Sequence, residues 1–226
     1  MKLTIRYKRG TLVITICLLL LIPAFFIANS MGLLQNKDKR ETIVAWTPTV
    51  KPLDSTTYKP SALTASNHAA TLTRPYDINI NGGTGGTTKD SPQYSYYSRG
   101  WNTASQYWLL SEISTAGYND IELSFWTKGS ATGPKDFTLE YSHDAVTWLP
   151  LTDNENFHIK YTVGSEGKYI ELGPYKLNAS MENIETLYIR FLNVSTLSVS
   201  GATTQSSGTN YLTDIIITGI PIENES

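Results

Sequence analysis

Strict alternation of apolar and polar residues along several short segments constrains the fold of this chain more than any other feature of its sequence. The segment from Asp120 to Lys128 alternates without a break and stops at Gly129. Successive side chains of a β-strand point to opposite faces, so Ile121, Leu123 and Phe125 are predicted to face a core. Three further runs follow the same rule: Phe137–Tyr141, Thr186–Leu192 and Leu212–Thr218.

Turn-forming segments separate these runs. The stretches 129–134 and 206–210 are rich in Gly, Ser, Thr, Asn and Pro, and only residues 178–183 suggest a helical turn. Several short strands separated in this way are typical of sandwiches and barrels. The sequence therefore predicts an all-β fold, a two-sheet antiparallel sandwich of jelly-roll type, over residues 71–220, with a short polar tail at 221–226.

The composition argues against two classes of partner and chemistry. The net charge of the 226 residues is −2 and only 17 % of them are charged, so nothing favours nucleic acid as a partner. The one cysteine, Cys17, lies in an apolar N-terminal run, which leaves the rest of the chain without disulfides or thiol chemistry. For an extracellular domain, this absence favours a bacterial surface protein.

The N-terminal 36 residues form a membrane-targeting segment, predicted to be one hydrophobic helix. A cationic start precedes an uncharged stretch from Gly10 to Asn36. The cationic flank stays in the cytoplasm, so the remainder is expected to be extracellular. Two outcomes stay open: a signal peptide cleaved before Met31, or a signal anchor in which residues 11–34 hold the protein on the outer side of the cytoplasmic membrane.

Residues 37–70 are predicted to be a Pro/Ser/Thr-rich linker. Pro48, Pro52 and Pro60 fix the backbone and remove hydrogen-bond donors, which suits a spacer between membrane and domain. The apolar stretch from Ile43 to Trp46 is the one part of this segment that could dock on the domain as a short strand.

A series of motifs between Tyr94 and Ile220 carries a family resemblance. They are Ser98–Trp101, Gln106–Trp108, Gly117–Phe125, Gly133–Phe137, Glu140–Asp144, Thr147–Trp148, Leu187–Phe191 and Gly208–Ile215. This series resembles the extracellular, carbohydrate-binding-module-like jelly-roll domains of Gram-positive bacterial surface proteins. The resemblance implies a jelly-roll fold and a binding function, and it says little about the ligand.

The resemblance also raises the question of a structural calcium ion. Such domains often carry two consecutive aspartates before the final strand, where this chain has Thr213 and Asp214. Calcium needs six to eight oxygen ligands, and one carboxylate has replaced two. Asp214 is therefore either a calcium ligand or a group that satisfies backbone donors at the start of a strand.

Other motifs are better explained by structure than by catalysis. The segment 142–148 predicts a β-hairpin whose turn is stabilised by Asp144. The three histidines, His68, His143 and His158, are too scattered for a serine hydrolase or a zinc site. Residues 82–89 superficially resemble a phosphate-binding loop but precede no helix, so they read as a flexible turn.

Carboxylate pairs are a further test of catalysis, because a glycosidase needs two on facing elements. Alternation instead places Glu122 and Glu140 on the outer face of a sheet. We therefore expect no enzyme activity.

The densest aromatic cluster of the chain suggests a ligand surface. Aromatic rings stack on the apolar faces of sugars, although a sandwich core also requires aromatic residues. Tyr94 and Tyr96 share one face of a predicted strand, and Tyr97 points to the other face. Arg99 and Asn102 could supply polar contacts nearby. The candidate ligand-binding residues are Tyr94, Tyr96, Tyr97, Arg99, Trp101, Asn102 and Trp108.

Three hypotheses follow for the function. The first is a non-catalytic extracellular module that binds carbohydrate or another cell-surface component. The second is a structural or assembly protein that uses the same strands and aromatic residues for protein–protein contacts. The third is a small secreted hydrolase, which requires a carboxylate pair in a cleft. No cofactor is expected, apart from the calcium ion considered above.

Overall fold

The computed structural model describes residues 39–50, 52–53, 55–74, 94–101, 103–164 and 168–223. The predicted N-terminal helix and the glycine-rich turn at 82–89 lie outside these ranges. Within them, no helix is both long and apolar enough to cross a membrane.

Two antiparallel sheets make up the described part of the chain. Sheet A has the strand order β11-β7-β13-β1-β3, with β5 also paired to β13. Sheet B has the order β10-β8-β12-β6-β4-β2, with β9 also paired to β8. The strands are β1 (Glu41–Trp46), β2 (Thr57–Tyr58), β3 (Ala62–Leu63), β4 (Thr71–Thr73), β5 (Tyr96–Ser98), β6 (Tyr107–Ile113), β7 (Tyr118–Gly129), β8 (Asp136–Ser142), β9 (Leu149–Pro150), β10 (Lys160–Thr162), β11 (Ile170–Lys176), β12 (Leu187–Asn193) and β13 (Asn210–Pro221).

The prediction of an all-β, two-sheet antiparallel sandwich is confirmed. The four alternating runs correspond to β7, β8, β12 and β13, and the inward positions Ile121, Leu123 and Phe125 are fully buried. Two single-turn 3₁₀ helices, Ala65–Asn67 and Ala179–Met181, are the helical elements among the described residues, and the second lies in the predicted helical turn.

The boundary between linker and domain needs correction. Residues 41–73 contribute β1 to β4, so the domain begins at Arg40 instead of residue 71. The short docking segment expected within the linker is β1, a strand between β13 and β3 in which Ile43, Val44 and Trp46 are fully buried. Burial of four consecutive apolar side chains stabilises this strand, although prolines follow it in the sequence.

Aromatic rings fill the space between the two sheets. Phe125 of sheet A meets Phe191 of sheet B edge to face, with 4.9 Å between ring centroids. Trp101 lies 5.5 Å from Phe137 in a similar edge contact. Such geometries are favourable beyond the burial of area alone. They account for much of the aromatic content of the sequence.

One buried polar interaction connects the sheets through this core. Trp108 of β6 donates its indole N–H to the Asn210 side-chain oxygen on β13 at 2.8 Å. The amide nitrogen of Asn210 in turn lies 3.3 Å from the Thr127 hydroxyl and from the Lys128 carbonyl, both on β7. Both side chains are fully buried, so removal of one would leave the other without a hydrogen-bond partner and without access to water.

We expect Asn210→Ala to lower the free energy of unfolding by about 1–3 kcal/mol, because the Trp108 indole N–H would remain buried without an acceptor. Urea denaturation followed by tryptophan fluorescence measures this change. Asn154→Ala, at an exposed position, is the matched control and should have no effect. Equal stability of the two variants would contradict a structural role for the Trp108–Asn210 bond.

Candidate functional site

The outer face of sheet B carries the side chains that alternate with its core residues. One row across five neighbouring strands follows directly from the register: Thr73 pairs with Leu109, Leu109 with Arg190, Arg190 with Glu140, and Glu140 with Pro150. In the next row, Tyr107 lies opposite Leu192. Tyr107 points outward because its neighbour Trp108 points into the core.

Arg190 is the centre of this surface. Its guanidinium lies 4.2 Å from the centroid of a Trp148 ring and 5.2 Å from that of Tyr107. The two aromatic rings are themselves 6.4 Å apart. We call Tyr107, Glu140, Trp148 and Arg190 the arginine platform. Cation–π contacts on two sides restrict the guanidinium, so the platform is ordered before any ligand arrives.

Glu140 neutralises Arg190 on a third side. Nε and Nη2 of Arg190 approach Glu140 Oε2 at 2.7 and 2.5 Å. Both side chains are about one-fifth exposed. Within the described residues, Nη1 of the arginine and Oε1 of the glutamate make no hydrogen bond. The platform therefore offers one donor and one acceptor beside two ring faces.

A tight turn positions Trp148. Asp144 Oδ1 accepts hydrogen bonds from the Val146 and Thr147 amides at 2.8 and 2.7 Å. The Ser142 hydroxyl donates to the same oxygen at 2.8 Å. This confirms the hairpin whose turn is stabilised by Asp144. Hydrogen bonds from the two amides hold the pKa of this carboxyl far below its usual range.

A depression continues the platform towards the edge of sheet B. Its volume is about 330 Å³, near the lower end of ligand sites, which run from about 300 to 1,000 Å³. Tyr107 and Leu109 belong to both the depression and the outer face. The remaining lining residues are Thr73, Arg74, Ser105 and Gln106.

A separate depression of about 430 Å³ lies next to Tyr58 and Tyr96 on the β1–β2 connection.

Three of the sequence-predicted ligand residues are core residues, which corrects their assignment. Trp101 and Trp108 are fully buried, and Tyr96 is 5 % exposed. Trp101 donates its indole N–H to the Ser98 carbonyl at 2.8 Å, and the Tyr96 ring packs 4.5 Å from that of Tyr58. The rings of Trp101 and Trp108 fill the sandwich, so these two residues have no face to offer a ligand.

The other predicted ligand residues lie elsewhere. Tyr97 points to the outer side of sheet A, opposite Tyr211, and is itself only 6 % exposed. Arg99 is exposed, and its guanidinium lies 5.9 Å from the Tyr97 ring centroid. Tyr94 is half-buried, and its carbonyl accepts a hydrogen bond from Thr213. Asn102 lies outside the described residues. None of the described members of this set belongs to the arginine platform.

Asp214 lies in β13 with a backbone φ of 44°, next to an irregularity in the pairing with β7. Burial raises the pKa of its carboxyl and so disfavours the charged form that a calcium ion would need. Among the described residues, no group of three or more His, Cys, Asp or Glu side chains could hold a metal ion. The described residues thus give no support to calcium at Asp214, which stays a prediction.

The sequence analysis missed the arginine platform as a site, although it placed one member, Glu140, at an outward position. Glu140 was placed on an outer face, which is confirmed, and Glu122 lies on the outer face of the other sheet. Each of these carboxylates pairs with an arginine, Arg190 or Arg40. The missing information was the strand pairing that brings Arg190 between Tyr107 and Trp148.

Comparisons with known proteins identify structural neighbours only. No family model matches the sequence, and no curated protein is similar to it. Solved structures similar to this chain include several carbohydrate-binding modules. The N-terminal cellulose-binding domain of Cellulomonas fimi β-1,4-glucanase C is 9 % identical, with a TM-score of 0.35, and the match covers 60 % of this chain and 84 % of that one.

Two further neighbours are similarly distant in sequence. The CBM22-2 xylan-binding domain of Paenibacillus barcinonensis Xyn10C is 17 % identical over 66 % of this chain and 86 % of its own, with a TM-score of 0.33. The family 30 module of the Clostridium thermocellum cellulase Cel9D-Cel44B is 14 % identical over 81 % and 95 %, with the same score.

We expect the Asp144 turn to survive acid that titrates ordinary carboxyls. Because the folded pKa is depressed, its stabilising hydrogen bonds are present above the unfolded pKa of about 3.9 and are lost only as the pH falls through the lower folded value. The amide NMR signals of Val146 and Thr147 should keep their positions from pH 7 to about pH 3. A titration midpoint near the ordinary value would contradict this account of the turn.

Proposed function

We propose that this domain is a non-catalytic binding module for neutral carbohydrate, and that the arginine platform contacts the sugar. One observation carries the proposal: two aromatic rings flank an arginine–glutamate pair that keeps one donor and one acceptor without a described partner. Aromatic faces pack on the C–H faces of sugar rings, while the donor and the acceptor suit neighbouring hydroxyl groups.

The charge of the platform supports a neutral ligand. Glu140 compensates the charge of Arg190, so a charged ligand would gain no net attraction. The same ion pair adds a hydrogen-bonding direction that a purely apolar surface lacks, which favours polyhydroxylated compounds over lipids.

The shape supports an extended ligand. The surface continues from Trp148 past Arg190 and Leu109 to Thr73 and the depression beside Tyr107. Five strands at about 4.8 Å spacing span roughly 20 Å, which is longer than one sugar ring. We therefore propose a polysaccharide as the ligand, bound across the strands of sheet B.

We also propose a fold type and a cellular location for the domain. The chain alternates between the sheets along β6, β7, β8, β11, β12 and β13, and we assign it to the jelly-roll type. The cationic and apolar N-terminal sequence favours export, with the domain displayed outside the cytoplasmic membrane.

Trp148→Ala and Tyr107→Ala should each weaken binding to the preferred neutral polysaccharide about tenfold, or about 1.4 kcal/mol, because each removes a stacking face. Affinity electrophoresis on cellulose derivatives, xylan and other neutral polysaccharides identifies the ligand and measures the loss. Phe157→Ala is the matched control, since Phe157 is an exposed aromatic residue outside the platform. Unchanged affinity in both Trp148→Ala and Tyr107→Ala would contradict the proposal.

Arg190→Lys tests the geometry of the platform. Lysine keeps the charge but cannot stack a planar group on Trp148 or present Nη1 beside Glu140. We expect affinity to fall by about tenfold while the circular dichroism spectrum and melting temperature stay close to those of the unsubstituted protein. Full affinity with lysine would show that a positive charge alone is sufficient and that the stacked guanidinium is not needed.

A further inference from the structure

The outer face of sheet A carries a second cation among aromatic rings. The register places Tyr97 opposite Tyr211, and Tyr211 opposite Lys128. Lys128 Nζ lies 4.6 Å from the Tyr169 ring centroid and 4.7 Å from that of Tyr211. We call Tyr97, Lys128, Tyr169 and Tyr211 the lysine row. It belongs to the opposite sheet from the arginine platform and shares no residue with it.

Lys128 differs from Arg190 in lacking a carboxylate. It is 9 % exposed, and among the described residues its amino group contacts the two tyrosine rings but forms no ion pair. A buried charge without a counter-charge is unfavourable, although cation–π contacts recover part of the lost hydration. In agreement with this, burial lowers the pKa of the Lys128 amine.

Four charged groups at the other end of the same face compensate one another. Arg40 pairs with Asp120 at 2.8 Å and with Glu122 at 3.0 Å, and Lys176 pairs with Asp120 at 2.5 Å. The sheet therefore carries a balanced ionic network along β7 and an uncompensated amine further along the same strand. Arg99, exposed beside Tyr97, adds a second cation to that end of the face.

We infer that the lysine row is a second binding site, for an acidic polysaccharide whose sugar units carry carboxylates. The carboxylate would supply the counter-charge that Lys128 lacks, and the attached ring would pack on Tyr211, which is half-buried. A single negative charge matches the single amine, whereas a doubly charged phosphate ester would bury an unbalanced charge.

Arg99 indicates a polymer. Its guanidinium lies beside Tyr97, and the backbone of Tyr97 is separated from that of Lys128 by two strand spacings, about 10 Å. A chain with a carboxylate on successive sugars can place one group at Lys128 and another near Arg99. This site goes beyond the proposed function, because it needs a charged ligand that the neutral arginine platform does not favour.

Binding of the full-length chain to polygalacturonate, measured by affinity electrophoresis, tests the inference. Lys128→Met keeps the length of the side chain between the tyrosines but removes the charge, and should lower affinity at least tenfold. Its melting temperature should not fall, because the substitution also removes a buried charge. Lys160→Met, at an exposed position on sheet B, should leave affinity unchanged.

A second variant and a second ligand test the role of charge independently of Lys128. Arg99→Gln changes an exposed residue, so it should weaken polygalacturonate binding without affecting the fold, even if Lys128→Met proves unstable. Fully methyl-esterified polygalacturonate should bind at least tenfold more weakly than the free acid. Both variants should retain binding to the neutral polysaccharide of the arginine platform, which separates failure of this inference from failure of the proposed function.

Three results would overturn the inference. The first is unchanged polygalacturonate affinity in both Lys128→Met and Arg99→Gln. The second is equal binding of the free acid and its methyl ester, which would remove the role of the carboxylate. The third is dextran sulfate binding as tightly as polygalacturonate, which would show a nonspecific response to polyanions.

Discussion

The hydrogen bond between Trp108 and Asn210 is the constraint on which both outer faces depend. It joins β6 of sheet B to β13 of sheet A through a core that excludes water. Because Trp108 must point inward, its neighbour Tyr107 points outward on sheet B. Because Asn210 must point inward, Tyr211 points outward on sheet A. A one-residue shift in either strand would bury the wrong side chains and break this bond.

The two faces use similar parts with different charge balance. In each, a cation lies within cation–π distance of two aromatic rings. Glu140 completes the ion pair on sheet B, whereas the described residues supply no carboxylate to Lys128 on sheet A. In the two proposals, this difference in one acidic residue separates a surface for neutral sugars from one for charged sugars.

Sequence periodicity was sufficient for the fold because it reports which side chains a strand buries. It predicted β7, β8, β12 and β13 and the outward position of Glu140. It could not identify the arginine platform, since Tyr107, Glu140, Trp148 and Arg190 come from separate segments that only strand pairing brings together. For the same reason, aromatic density along the chain drew attention to Trp101 and Trp108, which the core requires.

The pairing of the first and last strands determines where the chain enters and leaves the sandwich. Glu41 of β1 lies opposite Gly219 of β13, so the chain enters and leaves the sandwich at one end. Asn210 lies nine residues before Gly219 on β13, about 30 Å away along an extended strand. Tyr211 follows it directly, and Trp108, the neighbour of Tyr107, donates a hydrogen bond to its side chain. The entry and exit points of the chain therefore lie at the end of the sandwich opposite Tyr107 and Tyr211, and neither point obstructs the two proposed binding surfaces.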